Sequence, residues 1–181
     1  MASGATIHSF DIELADSDRG VYDTLELRVA RHPSESVEYL VTRVLAYAME
    51  LTDGIEFSRG ICDPDDPAIA VRDLTGALRA LIDIGSPDAA RLHKASKSAA
   101  RVAVYTHKDP TQLVRNLSGE RIHRADALEL YAIDRPFIAA LAARLERRMV
   151  FSLSINEREL YLSIGADTLV GPVVRHALGV S

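Results

Sequence analysis

The sequence is poor in cysteine and has no long apolar run, and each absence excludes a class of protein. Cys62 is the single cysteine among 181 residues, so the chain can form neither an internal disulfide nor a zinc site made of several thiolates. No segment approaches the roughly 20 consecutive apolar residues that cross a bilayer, and the N-terminus lacks the basic and apolar stretches of a signal peptide. We therefore expect a soluble protein of the reducing cytoplasm.

Motifs that accompany common enzyme classes are also missing. The six histidines show neither HxxxH nor HExxH spacing, which argues against a zinc hydrolase. The sequence contains no GxSxG motif of a serine hydrolase. It also lacks GxGxxG and GxxxxGK[ST], so a nucleotide cofactor has no support.

Charge is unevenly distributed along the chain, although the net charge is only -5. Residues 1–90 carry a net charge of -10, residues 91–124 carry +6, and the remainder carries -1. A basic segment beside an acidic one suits a site that holds divalent cations and attracts a phosphate backbone, although a solvated asymmetry gives the same pattern. Tyr105 is the one aromatic residue of the basic segment, so we expect any nucleic-acid contact to be made with the backbone.

Hydrophobic periodicity predicts strands and helices within one domain, residues 1–181. An N-terminal β-hairpin over TIHSFDIEL and VYDTLELRVA precedes a helix of about 34–50. The strands IEFSRGI, AIAVRD and ALRALIDIG then lead into a helix that has Ser86 as its N-cap and ends near Ala100. With the strand VAVYTH, this helix predicts a right-handed βαβ unit. The last predicted elements are a strand LELYAI, a helix RPFIAALAARLERR, and a closing hairpin of FSLSIN and ELYLSIG.

Three carboxylates are expected to converge at the end of one strand. If the turn before that strand is centred on residues 74–76, antiparallel pairing brings Asp65 and Asp66 back to Asp83. Three carboxylates repel one another unless a cation lies between them, so such a site either binds Mg²⁺ or Mn²⁺ or is open to water. The alternative is that the segment CDPDDP is simply a polar turn.

Two further acids lie at the start of the first long helix. Glu35 and Glu38 both complement the helix dipole. Glu38 borders the apolar stripe of the helix, so we expect it to be the deeper of the two and to reach towards a neighbouring strand.

The order of these elements and acids resembles a known fold. Residues of about 34–107 resemble the PD-(D/E)XK nuclease-like core. The shared order is a helix with an acid, three antiparallel strands with an acid pair and a strand-end acid, a second helix and a parallel strand. Pro64 and Asp65 also spell the first dipeptide of that motif. The resemblance implies an α/β fold with a mixed β-sheet flanked by helices and a β-hairpin at each end of the chain.

Five segments resemble the YaeQ family of bacterial proteins more specifically. They are ARHPSE at 30–35, RVLA at 43–46, FSRGIC at 57–62, DDP at 65–67 and IDIGSPD at 82–88. The resemblance extends from about residue 5 to about residue 175. It implies that Asp65 with Asp66 forms the first acid site, that Asp83 forms the second, and that Glu35 or Glu38 is the helix acid, all of them metal ligands.

The lysine of the nuclease motif does not carry over, because Gly85 stands at its place. Some members of the superfamily supply this lysine from the following helix, and Lys94 is the residue that matches in YaeQ-like sequences. The helical wheel places Lys94 about 155° from the centre of the apolar stripe of that helix, and Arg91 only about 95° from it. The resemblance therefore favours Lys94 as the catalytic cation, whereas the geometry favours Arg91.

Together these features predict a divalent-metal-dependent nuclease-like phosphodiesterase that acts on nucleic acid. The alternative is a catalytically inactive adaptor on the same scaffold, with a role around transcription, and Gly85 favours this alternative. Net charge taken alone would suggest a partner-binding protein that does not contact nucleic acid.

Overall fold

The computed structural model describes residues 4–58 and 66–178, and these residues form two compact units. The first unit draws on residues 1–41 and 133–173, and the second on residues 42–132 and 174–181. None of the helices in the described ranges combines the length and the apolar character that crossing a bilayer requires.

Ten β-strands and four α-helices lie in the described part of the chain, which gives a mixed α/β fold. In chain order they are β1 (Thr6–Asp16), β2 (Val21–Arg31), α1 (Val37–Met49), β3 (Ile55–Phe57), β4 (Ile69–Arg72), β5 (Leu78–Ile84), α2 (Ala89–Ser98), β6 (Arg101–Thr106), α3 (Pro110–Leu117), β7 (Glu129–Ile133), α4 (Arg135–Ala143), β8 (Arg148–Asn156), β9 (Glu159–Ile164) and β10 (Asp167–His176).

The first unit is built on the strand order β2-β1-β8-β9-β10. The predicted N-terminal hairpin is confirmed, because β1 and β2 are antiparallel over eleven residue pairs, and the hairpin of β8 and β9 is confirmed as well. Alternation along β1 buries Phe10, Ile12 and Leu14 on one face of the sheet. β8 lies parallel to β1, a long-range pairing that no local pattern in the sequence indicates.

Helix α4 packs closely on β10 at Gly171. A Cβ atom on Gly171 would lie 2.8 Å from the Cβ of Phe137 and 2.9 Å from the Cβ of Asp134. Asp134 is the N-cap of α4, and its Oδ2 accepts a hydrogen bond from the backbone N–H of Phe137 at 3.1 Å. Glycine at position 171 thus lets the capped start of the helix approach the strand.

The second unit has the strand order β7-β6-β5-β4-β3. β3, β4 and β5 are antiparallel, whereas β5, β6 and β7 are parallel, which confirms the predicted βαβ unit of β5, α2 and β6. One hydrophobic cluster packs α2 and α3 against β6 and β7. Its members include Leu92 of α2, Leu113 and Leu117 of α3, Val102 and Val104 of β6, and Leu130 of β7.

Both predicted helix starts are displaced towards the C-terminus. Helix α1 begins at Val37, because the hydroxyl of Ser36 accepts the backbone N–H of Tyr39 at 3.1 Å. Helix α2 begins at Ala89 and its N-cap is Asp88, not Ser86. The carboxylate of Asp88 accepts the backbone N–H of Arg91 at 2.8 Å, which caps the helix two residues after the predicted position.

Two elements of the structure are absent from the sequence-based prediction, and a third covers less than the predicted segment. Helix α3, capped by Asp109, follows β6, and strand β10 follows the hairpin that was expected to close the fold. Strand β3 covers only Ile55–Phe57 of the predicted segment IEFSRGI, whose residues from 59 onwards lie outside the described ranges.

A charged network ties the beginnings of β6 and β7 to the end of α1. Arg101 donates to the carboxylate of Glu50 at 2.6 and 2.9 Å and to the carboxylate of Glu129. Tyr105 and Tyr131 donate their hydroxyl protons to Glu50 and Glu129, respectively, and their rings stack at 4.9 Å. The hydrogen bonds that Arg101 donates to Glu50 raise the pKa of Arg101 above its ordinary value, so the guanidinium stays charged.

Loss of the guanidinium in this network should destabilise the protein strongly. Arg101→Met leaves the carboxylates of Glu50 and Glu129, whose side chains are 9% and 16% exposed, without their cation. We expect the free energy of unfolding in urea to fall by about 2–3 kcal/mol, since Arg101 itself is partly exposed. Arg79→Met is the matched control, because Arg79 pairs with Asp73 at the surface, and it should cost less than about 1 kcal/mol. Equal losses in the two variants would contradict this account.

The turn between β4 and β5 contains a carboxyl group with a lowered pKa. Asp73 accepts hydrogen bonds from the Thr75 hydroxyl at 2.6 Å and from the backbone N–H groups of Thr75 and Ala77 at 2.9 and 3.1 Å. Arg79 adds a fourth hydrogen bond at 2.8 Å. The Thr75 hydroxyl contributes most to lowering the pKa of Asp73, from 3.8 to about 2.

Thr75→Val should raise the pKa of Asp73 towards its ordinary value, as measured by NMR titration of its carboxyl carbon. Because the folded-state pKa is the lower one, these contacts stabilise the folded state above the unfolded-state pKa. Their contribution is lost as the pH falls from 3.8 towards about 2. Leu74→Ala, a change at a fully exposed side chain of the same turn, should leave the pKa unchanged. A pKa of Asp73 that does not respond to Thr75→Val would exclude the hydroxyl as its main cause.

Candidate functional site

An acid and a cation meet at the carboxyl end of β5. Asp83, the residue before the last of the strand, is 7% exposed. Arg91, in the first turn of α2, donates from Nε to Oδ2 of Asp83 and from Nη2 to Oδ1 at 3.2 Å. The planar guanidinium thus binds the carboxylate through both oxygens. A buried carboxylate requires such a partner, because an unpaired charge is costly to bury.

The main chain of Asp66 contacts the same guanidinium. The Nη2 atom of Arg91 donates to the backbone oxygen of Asp66 at 2.5 Å, while the side chain of Asp66 is exposed. The main chain of Asp66 therefore returns towards the end of β5, whereas the convergence of the carboxylates stays a prediction. A register shift between Val71 and Arg72 moves the pairing by one residue, so that Ile69 faces Ile82. Asp65 lies outside the described residues.

Gly85, which takes the place of the nuclease lysine, has a structural reason to be glycine. Its φ angle is +85°, a region that side chains other than glycine rarely adopt. Its N–H donates to the backbone oxygen of Tyr105 at 2.9 Å, which holds the end of β5 against β6. A lysine at this position would strain the backbone, so a cation can reach Asp83 more easily from α2.

Arg91 and Lys94 differ in their surroundings on α2, as the helical wheel predicts. Arg91 is half-buried and contacts Asp83, whereas Lys94 lies on the exposed side of the helix. Arg91 is therefore a predicted cation that the structure brings to Asp83.

Glu35 and Glu38 belong to the first unit, and their relative burial is the reverse of the prediction. Glu35 is 8% exposed, whereas Glu38 is exposed in the first turn of α1. The prediction is wrong because α1 begins at Val37, which leaves Glu35 in the turn before the helix. There its N–H donates to the backbone oxygen of His32 at 2.9 Å, and its backbone oxygen accepts from Nε of Arg31 at 3.1 Å.

Three of the cations in the basic segment 91–124 bind groups within the second unit, although Arg124 among them is exposed. Arg91 and Arg101 bind carboxylates, and Nη2 of Arg124 donates to the backbone oxygens of Ser96 and Ala99 at 2.7 and 2.8 Å. The other cations of the segment are exposed, and they are Lys94, Lys97, Lys108, Arg115 and Arg121. The excess positive charge at the surface is therefore smaller than the sequence suggests.

A groove of about 540 Å³ in the second unit borders Asp66. Pro67 and Ser58 lie beside Asp66, and Arg72 and Ser98 line other parts of the groove. Within residues 4–58 and 66–178, no three His, Cys, Asp or Glu side chains are grouped closely enough to hold a metal ion. Any metal site at Asp83 would thus rest on two carboxylates or involve residues beyond the described ranges.

Comparison with known proteins identifies the relatives of this chain. Residues 1–171 match the family described as YaeQ protein. The chain belongs to the YaeQ family. A YaeQ protein of Escherichia coli (strain K12), which carries the name "Uncharacterized protein YaeQ", is 30% identical over 170 residues, covering 93% of this chain and 94% of the relative.

Two crystal structures of YaeQ proteins resemble this chain over almost its full length. The protein from Pseudomonas syringae has a TM-score of 0.84 and 25% identity, with coverage of 94% of this chain and 95% of the other. The protein from Xanthomonas axonopodis pv. citri has a TM-score of 0.81 and 28% identity, with coverage of 97% and 99%. The mixed α/β fold is therefore that of the YaeQ family.

Breaking the pair of Asp83 and Arg91 should destabilise the YaeQ fold of this chain. Arg91→Gln leaves a buried carboxylate without its cation, and we expect a loss of about 2–3 kcal/mol in urea unfolding. Asp83→Asn combined with Arg91→Gln should cost less than the sum of the single changes, because neither partner is then left alone. Lys94→Gln, on the exposed side of the same helix, should change stability by less than about 0.5 kcal/mol. Additive losses in the double variant would contradict the coupling.

Proposed function

We propose that this YaeQ protein is a nuclease-like phosphodiesterase of PD-(D/E)XK type that uses Mg²⁺ or Mn²⁺ and acts on nucleic acid in the cytoplasm. The observation that supports the proposal most directly is the strand-end carboxylate of Asp83 in contact with the guanidinium of Arg91. In nuclease chemistry, an acid at this position binds the metal ion, and a nearby cation offsets the charge of the phosphate.

The carboxylates of the site suit a hard cation. Mg²⁺ is commonly held by one or two carboxylates, with substrate phosphate and water completing its coordination. Each carboxylate oxygen of Asp83 has two lone pairs, and Arg91 uses one on each oxygen, which leaves acceptor capacity for a metal ion. Asp83 and Asp66, together with Asp65, would hold the ion. Its chemistry would be to lower the pKa of a bound water and to polarise the phosphate.

The side chains around these acids would bind and orient the nucleic acid. Arg91 carries a fixed charge and a planar set of donors that suits a phosphate, so it would take the place of the motif lysine. Lys94 and Lys97 are exposed on α2 and would attract the flanking phosphates. The groove beside Asp66 offers room for a bound strand.

The second candidate function is a nucleic-acid-binding adaptor without turnover, and one observation favours it. Arg91 binds both oxygens of Asp83, and the backbone at Gly85 disfavours a lysine. In an adaptor, Asp83 would only orient Arg91 towards phosphate. Such a protein would bind nucleic acid without cleaving it, in keeping with a role around transcription.

Calorimetry and cleavage assays distinguish these functions. The purified protein is titrated with Mn²⁺ and Mg²⁺, and single- and double-stranded DNA and RNA are offered as substrates. We expect metal binding, and cleavage of at least one substrate. Asp83→Asn should reduce the cleavage rate by a factor on the order of 10² or more, since a metal ligand is lost while the shape is kept.

Asp88→Asn is the matched control for that experiment. It removes a negative charge near the same site but preserves the helix cap, because asparagine caps as well as aspartate. Cleavage should be unchanged in this variant. Salt-dependent retention on DNA without metal binding or cleavage would favour the adaptor. Absence of metal binding, cleavage and retention together would refute both functions.

A further inference from the structure

The outer edge of β2 in the first unit is long and regular. β2 stands first in the strand order β2-β1-β8-β9-β10, and β1 is its one strand partner among the described residues. Its register with β1 runs through eleven residue pairs, from Val21 to Arg31, without a shift. The strand contains neither proline nor glycine, the residues that commonly interrupt edge strands.

The hydrogen bonds of β1 show which backbone groups of β2 point outwards. Ser9 and Ser17 donate their N–H groups towards β8, to the backbone oxygens of Arg147 and Ile155 at 2.7 and 2.9 Å. The backbone N–H and C=O groups of odd-numbered residues in β1 therefore point towards β8, and those of even-numbered residues point towards β2. Because even residues of β1 pair with odd residues of β2, the even residues of β2 direct their N–H and C=O groups away from the sheet.

The side chains along this edge carry a pattern of charge that complements itself. The acids Asp23 and Glu26 precede the arginines Arg28 and Arg31, and Leu27 lies at the centre of the pattern. In an antiparallel pairing of two β2 strands centred on Leu27, Glu26 faces Arg28 of the second copy and Asp23 faces its Arg31. Each acid then lies opposite a cation, which stabilises a cross-strand pair.

The same register also pairs the outward backbone groups in hydrogen bonds and aligns the apolar faces of the two sheets. Glu26 and Arg28 both point their backbone groups outwards, so each opposed pair can exchange two hydrogen bonds. Leu25, which is buried, then lies opposite the buried Val29 of the second copy, and the apolar faces of the two sheets are continuous. Moving the centre to Glu26 or to Arg28 would place like charges opposite each other.

We propose that a second copy of this chain docks on β2, antiparallel and in the register centred on Leu27. The resulting homodimer joins the sheets of the two first units through the paired edge strands. Four main-chain hydrogen bonds between Glu26 and Arg28 of the two copies form its centre, and the charge pattern of β2 selects the register.

Exchange of the two central charges tests the proposal in the full-length protein. Sedimentation equilibrium should give a reversible monomer–dimer equilibrium for the unchanged chain. Glu26→Arg and Arg28→Glu each place two like-charged pairs at the interface and should raise the dissociation constant about tenfold. The double variant Glu26→Arg/Arg28→Glu restores opposite charges and should restore the dimer. An equimolar mixture of the two single variants should form a heterodimer for the same reason.

Arg115→Glu, at an exposed position of α3, serves as the control and should leave the equilibrium unchanged. Circular dichroism verifies that each variant is folded, and amide exchange at Glu26 and Arg28 should slow as the protein concentration rises. A protein that stays monomeric up to millimolar concentration overturns the proposal. A dimer that is insensitive to the single variants, or that the double variant fails to restore, overturns it equally.

Discussion

The ion pair between Asp83 and Arg91 is the contact on which the candidate site depends. Asp83 is buried at the end of β5, and a buried carboxylate is tolerated only with a well-oriented partner. Asp88 fixes the first turn of α2 and thereby sets where Arg91 emerges. The same guanidinium also holds the backbone oxygen of Asp66. One cation thus connects the end of β5, the start of α2 and the segment that leads into β4.

Arg91 and Arg101 both bind buried or half-buried carboxylates in the second unit, and the two sites differ in the acceptor capacity that they leave free. In the network of Arg101, the tyrosine hydroxyls occupy further acceptor positions of Glu50 and Glu129. Burial raises the pKa of Glu129, but its hydrogen bonds from Arg101 and Tyr131 outweigh this effect and lower the pKa overall. That network suits a structural role. At Asp83 the described partner is the guanidinium of Arg91, which also binds the backbone oxygen of Asp66, and the exposed Asp66 borders a groove.

Local sequence patterns are sufficient to predict the elements that depend on neighbouring residues. The hairpin of β1 and β2 follows from alternation over TIHSFDIEL, and the βαβ unit follows from apolar segments separated by a helix. The angle of Arg91 on the helical wheel also predicts its contact with Asp83. The burial of Glu35 differs from the prediction because a shift of the helix start by three residues changes which acid is buried. The parallel pairing of β1 with β8 depends on residues far apart in sequence, so no local pattern could predict it.

Binding of Mn²⁺ observed by NMR tests the central claim, that Asp83 and its neighbours form a metal site. The paramagnetic ion broadens amide signals close to it, so the position of the site can be read residue by residue. The account predicts selective broadening at Asp66, Asp83, Ile84 and Gly85 at low Mn²⁺ concentration, and loss of this effect in Asp83→Asn. Broadening confined to other acidic surfaces, or equal broadening in Asp83→Asn, would contradict it.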